Sequence, residues 1–397
     1  MTVPSPLTPY PSANGDARVV ARVFALTDVG RTREHNEDTF LVADLESGEP
    51  VGFDAVPREM SAHTHGLLFL VADGMGGAAS GELASSMASD AVLEVMREGW
   101  QRLEGPTADA FASALRDATI AANGRIHSFA RQHPEHRGMG TTATIAGLFG
   151  DTIYVAQVGD SRAYLLRDGS AKQLTKDQSL MQRLVEAGEM TQEQAEASER
   201  RNIILQALGP EPHVTIDLTH QQLRRGDTLI LCSDGLSGLV RVDELARIAA
   251  ESANVGTMCQ RLIDRANELG GPDNITVIAA TFDGGTLDAT SDDDAVGYNT
   301  YQLVGTLNHD AAEAMPTPML QSRHRSDPTP RFGTAAPTAA ALEEEFARAR
   351  EAEDQAALGA PGEIVEDRRR RVEPVYFILV LAAIAAVMWL LVRLLRK

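Results

Sequence analysis

Residues 20–282 are predicted to form an α+β domain. Two observations carry that expectation. Short β-rich apolar runs alternate with stretches of helical period across this span, and the pattern stops at its end, where residues 286–340 fill with Asp, Thr, Pro and Ala. A third feature closes the chain, because 375–392 reads VYFILVLAAIAAVMWLLV, 18 residues without a charge. The expected organisation is a flexible N-terminus at 1–19, a folded domain at 20–285, an acidic and largely disordered tether at 286–373, a transmembrane helix at 374–392 and a short basic tail at 393–397.

The strands of the domain come with acids at their ends. LLFLVADGMGG at 67–77 and TLILCSDGLSG at 228–238 each read as a buried strand that finishes in a small residue, an Asp and a Gly. An apolar run stops where the chain must turn, so the Asp is presented at the mouth of a sheet, while Gly lets backbone approach a ligand closely. Asp73 and Asp234 are therefore candidate ligands for a hard cation, with the Gly74 carbonyl as a further oxygen. Glu37 and Asp38 precede TFLVA, Asp160 lies between two alternating runs in VGDSRAYLL, and Asp273 precedes the last strand in GGPDNITVIAA. Taken singly, each of these is also an ordinary turn former or cap. Taken together, with Arg33 nearby in sequence, they point to a phosphate-and-metal site. Helix-spaced Leu, Met, Val, Ile and Phe at 82–100 and 109–132 predict sheet-covering helices whose Met residues are core. Gly140-Thr141-Thr142 is expected to open a strand close to the acids, where ordinary strand propensity is an equal explanation.

Oxygen ligands without a His or Cys cluster point to magnesium or manganese rather than zinc. Carboxylates that converge without an ion repel one another, which makes a bound cation the natural resolution. Two ions bridged by one Asp would lower the pKa of a shared water and clamp the attacking and leaving oxygens of a phosphomonoester. Arg33 adds a planar fork matched to phosphate oxygens. Cys232 lies inside an apolar strand, so a covalent thiol mechanism finds no support, and direct attack by metal-bound hydroxide is the reading left.

Bulk composition agrees. With 397 residues and 43% apolar content, the chain can bury one large core or two modest ones, and one large domain with appendages is the expectation. Two cysteines, Cys232 and Cys259, are too few for a disulfide framework and suit buried, reduced thiols. The net charge of -20 divides unevenly: 24 basic and 39 acidic side chains over 1–285, 5 and 16 over 286–367, and 7 and 1 over 368–397. So acidic a body repels phosphate backbones and argues against nucleic acid as a partner.

Eight motifs in one order resemble those of the metal-dependent type 2C serine/threonine protein phosphatases, the PPM family, in the form found in bacteria. They are TDVGRTREHNEDTF at 27–40, VADGMGG at 71–77, GMGTTAT at 138–144, VGDSRAYLL at 158–166, LTKDQSL at 174–180, RNIILQALG at 201–209, CSDGLSG at 232–238 and GPDNITVI at 271–278. The resemblance, over residues 20–283, implies a four-layer αββα sandwich of two antiparallel sheets flanked by helices, with a metal centre between the sheet ends. On that pattern Asp73 bridges two manganese or magnesium ions, Gly74 gives its carbonyl to one, and Asp234 with Asp273 completes the other. Glu37 and Asp38 orient metal-bound waters, and Arg33 holds the phosphate. Bacterial members often hold a third ion, for which the matching ligand is Asp160, shared with Asp234. Residues 176–208, with Asp177, Gln178 and Ser179, align with a mobile flap that influences substrate access. The implied activity is hydrolysis of phosphoserine and phosphothreonine in proteins, opposing bacterial serine/threonine kinases, membrane-bound ones among them.

Three features depart from that pattern. Met75 stands where animal members carry a His proposed as general acid, so a metal-bound water is left to protonate the leaving oxygen. Gln178 stands where a flap His is usual. The stretch 44–66 is longer than a compact strand connection, and its His63 and His65 are expected as solvent-exposed loop residues rather than ligands.

The tail reads as a tether and an anchor. An Ala/Glu/Arg stretch at 339–357 offers Glu344 and Arg348 at i,i+4 and is expected as a short solvated helix. The uncharged 375–392 spans about 27 Å as a helix, close to a hydrocarbon core of roughly 30 Å. Basic residues flank it on both sides, so charge gives little orientation. Residues 1–15 have neither a basic start nor an apolar stretch, so a single-pass C-terminal membrane anchor with the domain in the cytoplasm is the expectation. A coil of about 80 residues has an average reach of roughly 50 Å.

Overall fold

The structure is a computed structural model that describes residues 18–303, except 54–55, 199, 201 and 292–294. Contacts divide the chain into Met1–Arg325 and Ser326–Lys397, and every described residue belongs to the first unit. The N-terminal 1–17, the tether from 304 onward, the 339–357 helix and the apolar 374–392 segment lie outside the described residues. Among the described residues no helix is long and apolar enough to cross a membrane.

Two antiparallel sheets form the centre. In chain order the strands are β1 (Val20–Asp28), β2 (Asp38–Asp44), β3 (Glu49–Pro50), β4 (Arg58–Ser61), β5 (Leu67–Met75), β6 (Gly140–Thr141), β7 (Ala143–Phe149), β8 (Thr152–Val158), β9 (Arg162–Arg167), β10 (Ser170–Gln173), β11 (Asp217–Gln222), β12 (Thr228–Cys232) and β13 (Ile275–Asp283). One sheet runs β10-β9-β12-β13-β1-β4 and the other β11-β8-β7-β5-β2-β3, with β6 paired to β5. The helices are α1 (Ala78–Val95), α2 (Ala108–Gln132), α3 (Leu180–Glu186), α4 (Gln192–Glu196), α5 (Asp234–Ser237), α6 (Val242–Ala250) and α7 (Val255–Glu268). A single π turn, Met96–Trp100, extends α1, so the predicted 82–100 helix begins four residues earlier and changes its hydrogen bonding at its end.

Strand alternation builds three stacked cores, and these define four layers. Along β5, Leu67, Phe69 and Val71 face the space between the sheets, while Leu68, Leu70 and Ala72 face α1 and α2. Along β13, Ile278, Ala280 and Phe282 enter the same central core, and Ile275, Val277 and Ala279 face α6 and α7. Successive side chains of a strand point to opposite faces, so an almost wholly apolar strand is required wherever both faces are covered. Cys232 on β12 and Cys259 on α7 are free, fully buried members of the outer core beneath α6 and α7.

The 44–66 insertion spans both sheets. β3 extends the edge of the second sheet beside β2, and β4 forms the edge of the first beside β1. His65 is not the exposed loop residue expected: its side chain is 16% exposed, donor or acceptor to Glu46 at 3.0 Å, and edge-on to Trp100 at 6.0 Å. Trp100 explains this, because its indole N–H donates to the His65 carbonyl at 2.9 Å and its ring is wedged against Phe111 and Phe149.

The first part of the stretch expected as tether is folded. Beyond β13, Leu287 is buried in the central core and Asp288 accepts a hydrogen bond from the Arg225 amide. Residues 295–303 then lie along β11, with the His220 amide donating to Asn299 and the Tyr301 amide donating to Leu218. The low apolar content that suggested disorder is offset here by backbone pairing and two tyrosine rings.

Candidate metal and phosphate site

The acids gather at one end of the sandwich. Asp38, the first residue of β2, is in direct register with Asp73 of β5. Opposed like charges on paired strands are destabilising, so this register alone calls for a counter-charge. Asp73 sits two residues inside β5 rather than at its tip, held by its amide donating to Thr142 Oγ1 at 3.0 Å and its carbonyl accepting from the Thr142 amide and the Thr141 hydroxyl. Asp234 opens α5 just after β12, and Asp273 lies two residues ahead of β13. Asp160 occupies the turn between β8 and β9.

Burial and the fields of neighbouring acids hold Asp38, Asp73, Asp160 and Glu37 toward the protonated form. Asp38 is pushed up to about 7, by burial first, with Asp234 and Asp273 adding and the hydroxyls of Thr276 and Ser233 opposing. Asp160 is pushed up to about 8 by burial, then by Asp234 and Asp177. Asp73 is raised well above the usual carboxylate range by burial and the fields of Asp38, Asp234, Asp160 and Asp273. Glu37 is raised by burial, against the pull of Arg33. Asp38 Oδ2 accepts from Ser233 Oγ at 2.7 Å and Thr276 Oγ1 at 2.6 Å. Its Oδ1, like Asp160 Oδ1, is buried with no hydrogen-bond partner, which is costly unless something else binds there.

Gly74 meets the requirement for close approach. A Cβ there would lie 2.1 Å from the Gly81 carbonyl oxygen and 2.7 Å from that of Glu37, so any side chain would force α1 and the Glu37 backbone away from β5. Asn274 fastens the facing loop: its carbonyl oxygen accepts from the Glu37 amide, and its amide nitrogen donates to the Val29 and His35 carbonyls. Arg33 is 47% exposed at the rim, donating to Asp273 Oδ2 at 2.8 Å. It is thus placed on a carboxylate in this state, with part of its fork facing solvent.

These donors fit a hard divalent cation: the side-chain donors are all carboxylate oxygens, and two of those oxygens are buried without a partner. No group of three His, Cys, Asp or Glu side chains among the described residues is gathered tightly enough to hold an ion alone. The acids are close enough to raise one another's pKa, and an ion such as magnesium commonly keeps several waters in its shell.

A cleft of about 790 Å³ runs from Arg33, Asp160, Asp234 and Asp273 toward Gln182 and Gln192 of the flap. The flap leaves and returns through a narrow neck, where the Leu205 amide donates to Gln178 and the Leu180 amide donates to Ile203. Gln178 pins this neck: its side-chain oxygen accepts from the Gly159 amide at 2.9 Å, and its own amide donates to the Gly159 carbonyl. Gly159, at φ 100°, lies against Thr142 and leads directly into Asp160. Asp177 grips Arg162 with both oxygens, and Ser179 caps α3.

The structure therefore brings Glu37, Asp38, Asp73, Gly74, Asp160, Asp234 and Asp273 into one neighbourhood with Arg33. Sequence reasoning passed over Ser233, Thr276 and Asn274, which orient those acids. Their signal was present as hydroxyl and amide residues adjoining strand-end acids in CSDG and PDNIT.

Comparison with known proteins follows this geometry. The Protein phosphatase 2C family model matches residues 53–269. Serine/threonine phosphatase stp of Listeria welshimeri serovar 6b is 36% identical over 253 residues, covering 64% of this chain and 92% of that protein. The crystal structure of the Mycobacterium tuberculosis serine/threonine phosphatase PstP/Ppp superposes with a TM-score of 0.56 at 34% identity, over 66% of this chain and 99% of that one. The catalytic domain of PstP in complex with two manganese ions gives 0.54 at 33% identity, over 67% and 99%. More than half of the sequence answers to one family description, and the carboxylate cluster lies within the fold its relatives share, so the chain belongs to the protein phosphatase 2C family.

Proposed function

We propose that the chain removes phosphate from phosphoserine and phosphothreonine in proteins, with two manganese or magnesium ions held by Asp73, the Gly74 carbonyl, Asp234 and Asp273. A third ion at Asp160 belongs to the same reading. The observation that carries it is the register of Asp38 against Asp73, with Asp38 Oδ1 and Asp160 Oδ1 buried and unpaired. A related structure holding two manganese ions supports the metal.

Divalent ions, when bound, supply Lewis acidity toward water and the phosphoryl group. The protein's own groups do the rest. Arg33 swings between Asp273 and the phosphate oxygens, for which its planar fork is the matched partner. Ser233 and Thr276 fix Asp38, so its free Oδ1 points to one place and can accept a proton or orient a water. Asn274 holds Glu37 by its backbone, leaving the carboxylate to act beside Arg33. Met75 offers no proton, so departure of the serine or threonine oxygen depends on solvent held by the acids.

The same reading places the domain on the cytoplasmic side of a membrane, anchored by 375–392 and opposing serine/threonine kinases; the uncharged 18-residue run and its flanking arginines support the anchor. The test uses the purified full chain with phosphoserine, phosphothreonine and phosphotyrosine peptides, beside Asp73→Asn. Manganese-dependent phosphate release with Ser/Thr preference, nearly abolished in the variant, is expected. Turnover that survives chelation, or is undiminished in Asp73→Asn, overturns the assignment. For the anchor, a chain ending at 373 should move from the alkali-washed membrane fraction to the soluble one.

A further inference from the structure

The strap that follows the last strand reaches the flap. Residues 295–303 are tied to β11 by the Thr219–Thr300 bridge and by Gln221, whose side chain donates to the Ala295 carbonyl and accepts from the Gly297 amide and Asn299. Tyr301 packs edge-on against Tyr154 and His220, each 5.2 Å between ring centroids, and its hydroxyl donates to Asp109 of α2 at 2.7 Å. Tyr298 donates its hydroxyl to Asp217 of β11 at 2.7 Å, which sets the plane of its ring.

Over that ring stands the ammonium of Lys176, 4.6 Å from the centroid, within the range of a cation–π contact. Lys176 also pairs with Glu186, the last residue of α3, at 3.1 Å. It immediately precedes Asp177 and Gln178, the residues that fix the exit leg of the flap to Arg162 and Gly159. An unbroken series therefore runs from β11 through Asp217, Tyr298 and Lys176 to the first helix of the flap. The family model stops at residue 269, short of the strap.

We propose that Tyr298 is a positioning residue for substrate binding: its ring seats Lys176, and through the Lys176–Glu186 pair it sets the posture of α3 above the cleft. The inference rests on the phosphatase reading for its effect on substrate, but its structural half is independent of activity. A strap that merely covers the edge of β11 would support stability alone. A strap that positions the flap also alters the binding of a long substrate, which meets α3, more than that of a small one, which reaches only the acids.

The test takes the full chain as Tyr298→Ala, Tyr298→Phe and Lys176→Gln, with KM and kcat measured on a phosphothreonine peptide and on p-nitrophenyl phosphate, and amide exchange followed across 180–186. Tyr298→Ala and Lys176→Gln are expected to raise the peptide KM about threefold, the scale of an exposed cation–π contact, and to speed exchange in α3, with kcat and the small-substrate KM unchanged. Tyr298→Phe, which keeps the ring but loses the Asp217 hydrogen bond, should raise the peptide KM less than Tyr298→Ala. Lys176 is partly exposed, so its substitution decides the matter if Tyr298→Ala fails to fold. Unchanged exchange across 180–186 together with an unchanged peptide KM overturns the proposal. If the unaltered chain hydrolyses neither substrate, the functional reading falls, and the exchange comparison still settles the link between strap and flap.

Discussion

Asp38 concentrates the physics of the site in one side chain. One oxygen is saturated by two hydroxyls and the other is buried without a partner, beside a like charge in register. Removing one hydroxyl frees Asp38 to turn away, so Thr276→Val is expected to lower manganese affinity or phosphate release by about 10–100-fold, the scale of losing a group that orients a ligand; calorimetric titration of manganese checks this, and an unaltered isotherm with unaltered activity refutes it. The raised acids also dictate a pH dependence. Asp38 at about 7 and Asp160 at about 8, against 3.8 for the ordinary side chain, bind more protons folded than unfolded through that interval. The metal-free protein should therefore lose stability as pH rises from about 5 to about 8.5, while manganese, which favours the ionised forms, should cancel the loss. Thermal unfolding with chelator and with manganese tests the sign; a chelated protein that grows more stable across that range contradicts it. At this scale the acids were legible, because an Asp or Glu at the end of an apolar run is conspicuous. Their hydroxyl and amide partners left a signal beside Asp234 and Asp273, but not which acid each serves, because Ser233 and Thr276 bond Asp38 and Asn274 bonds the Glu37 amide, far away in sequence.

Elements were legible where their period was strong and obscure where backbone hydrogen bonds replaced it. The sheet-covering helices lie close to their expected spans, since α2 buries Phe111, Leu115, Ala118, Ala122 and Ile126 at helical spacing. The end of α1 differs, as a π turn carries Trp100 inward to anchor the 44–66 insertion. His65 was misread for the same reason: nothing near it in sequence announces a tryptophan 35 residues away. Trp100→Ala should cost about 3–5 kcal/mol, the range for emptying a large aromatic site. Urea unfolding measures it, and a loss under about 1 kcal/mol would show that the site collapses freely. The strap was the least legible element, for residues 295–303 offer little apolar pattern and are held by β11 and two tyrosines.

Over the whole molecule, β1 pairs with β13 along nine residues, so the first and last strands of the sandwich are neighbours. The site is likewise assembled from positions 33 to 273, and neither half of the domain can hold it alone. The layer count followed from the family resemblance, whereas apolar runs alone showed only that the strands leading to Asp73 and Asp234 are buried. Packing three cores this closely also settles the fate of the two sulfur atoms. Cys232 and Cys259 are fully buried, and burial pushes both thiols up to about 12. Neither presents a thiolate to solvent, so iodoacetamide should leave phosphate release untouched at neutral pH, with both cysteines alkylated only after unfolding. Mass spectrometry of the native protein reads this directly, and rapid labelling of either residue would refute it. An enzyme built this way offers no thiol for a redox signal to act on, which leaves cation supply as the lever on its output.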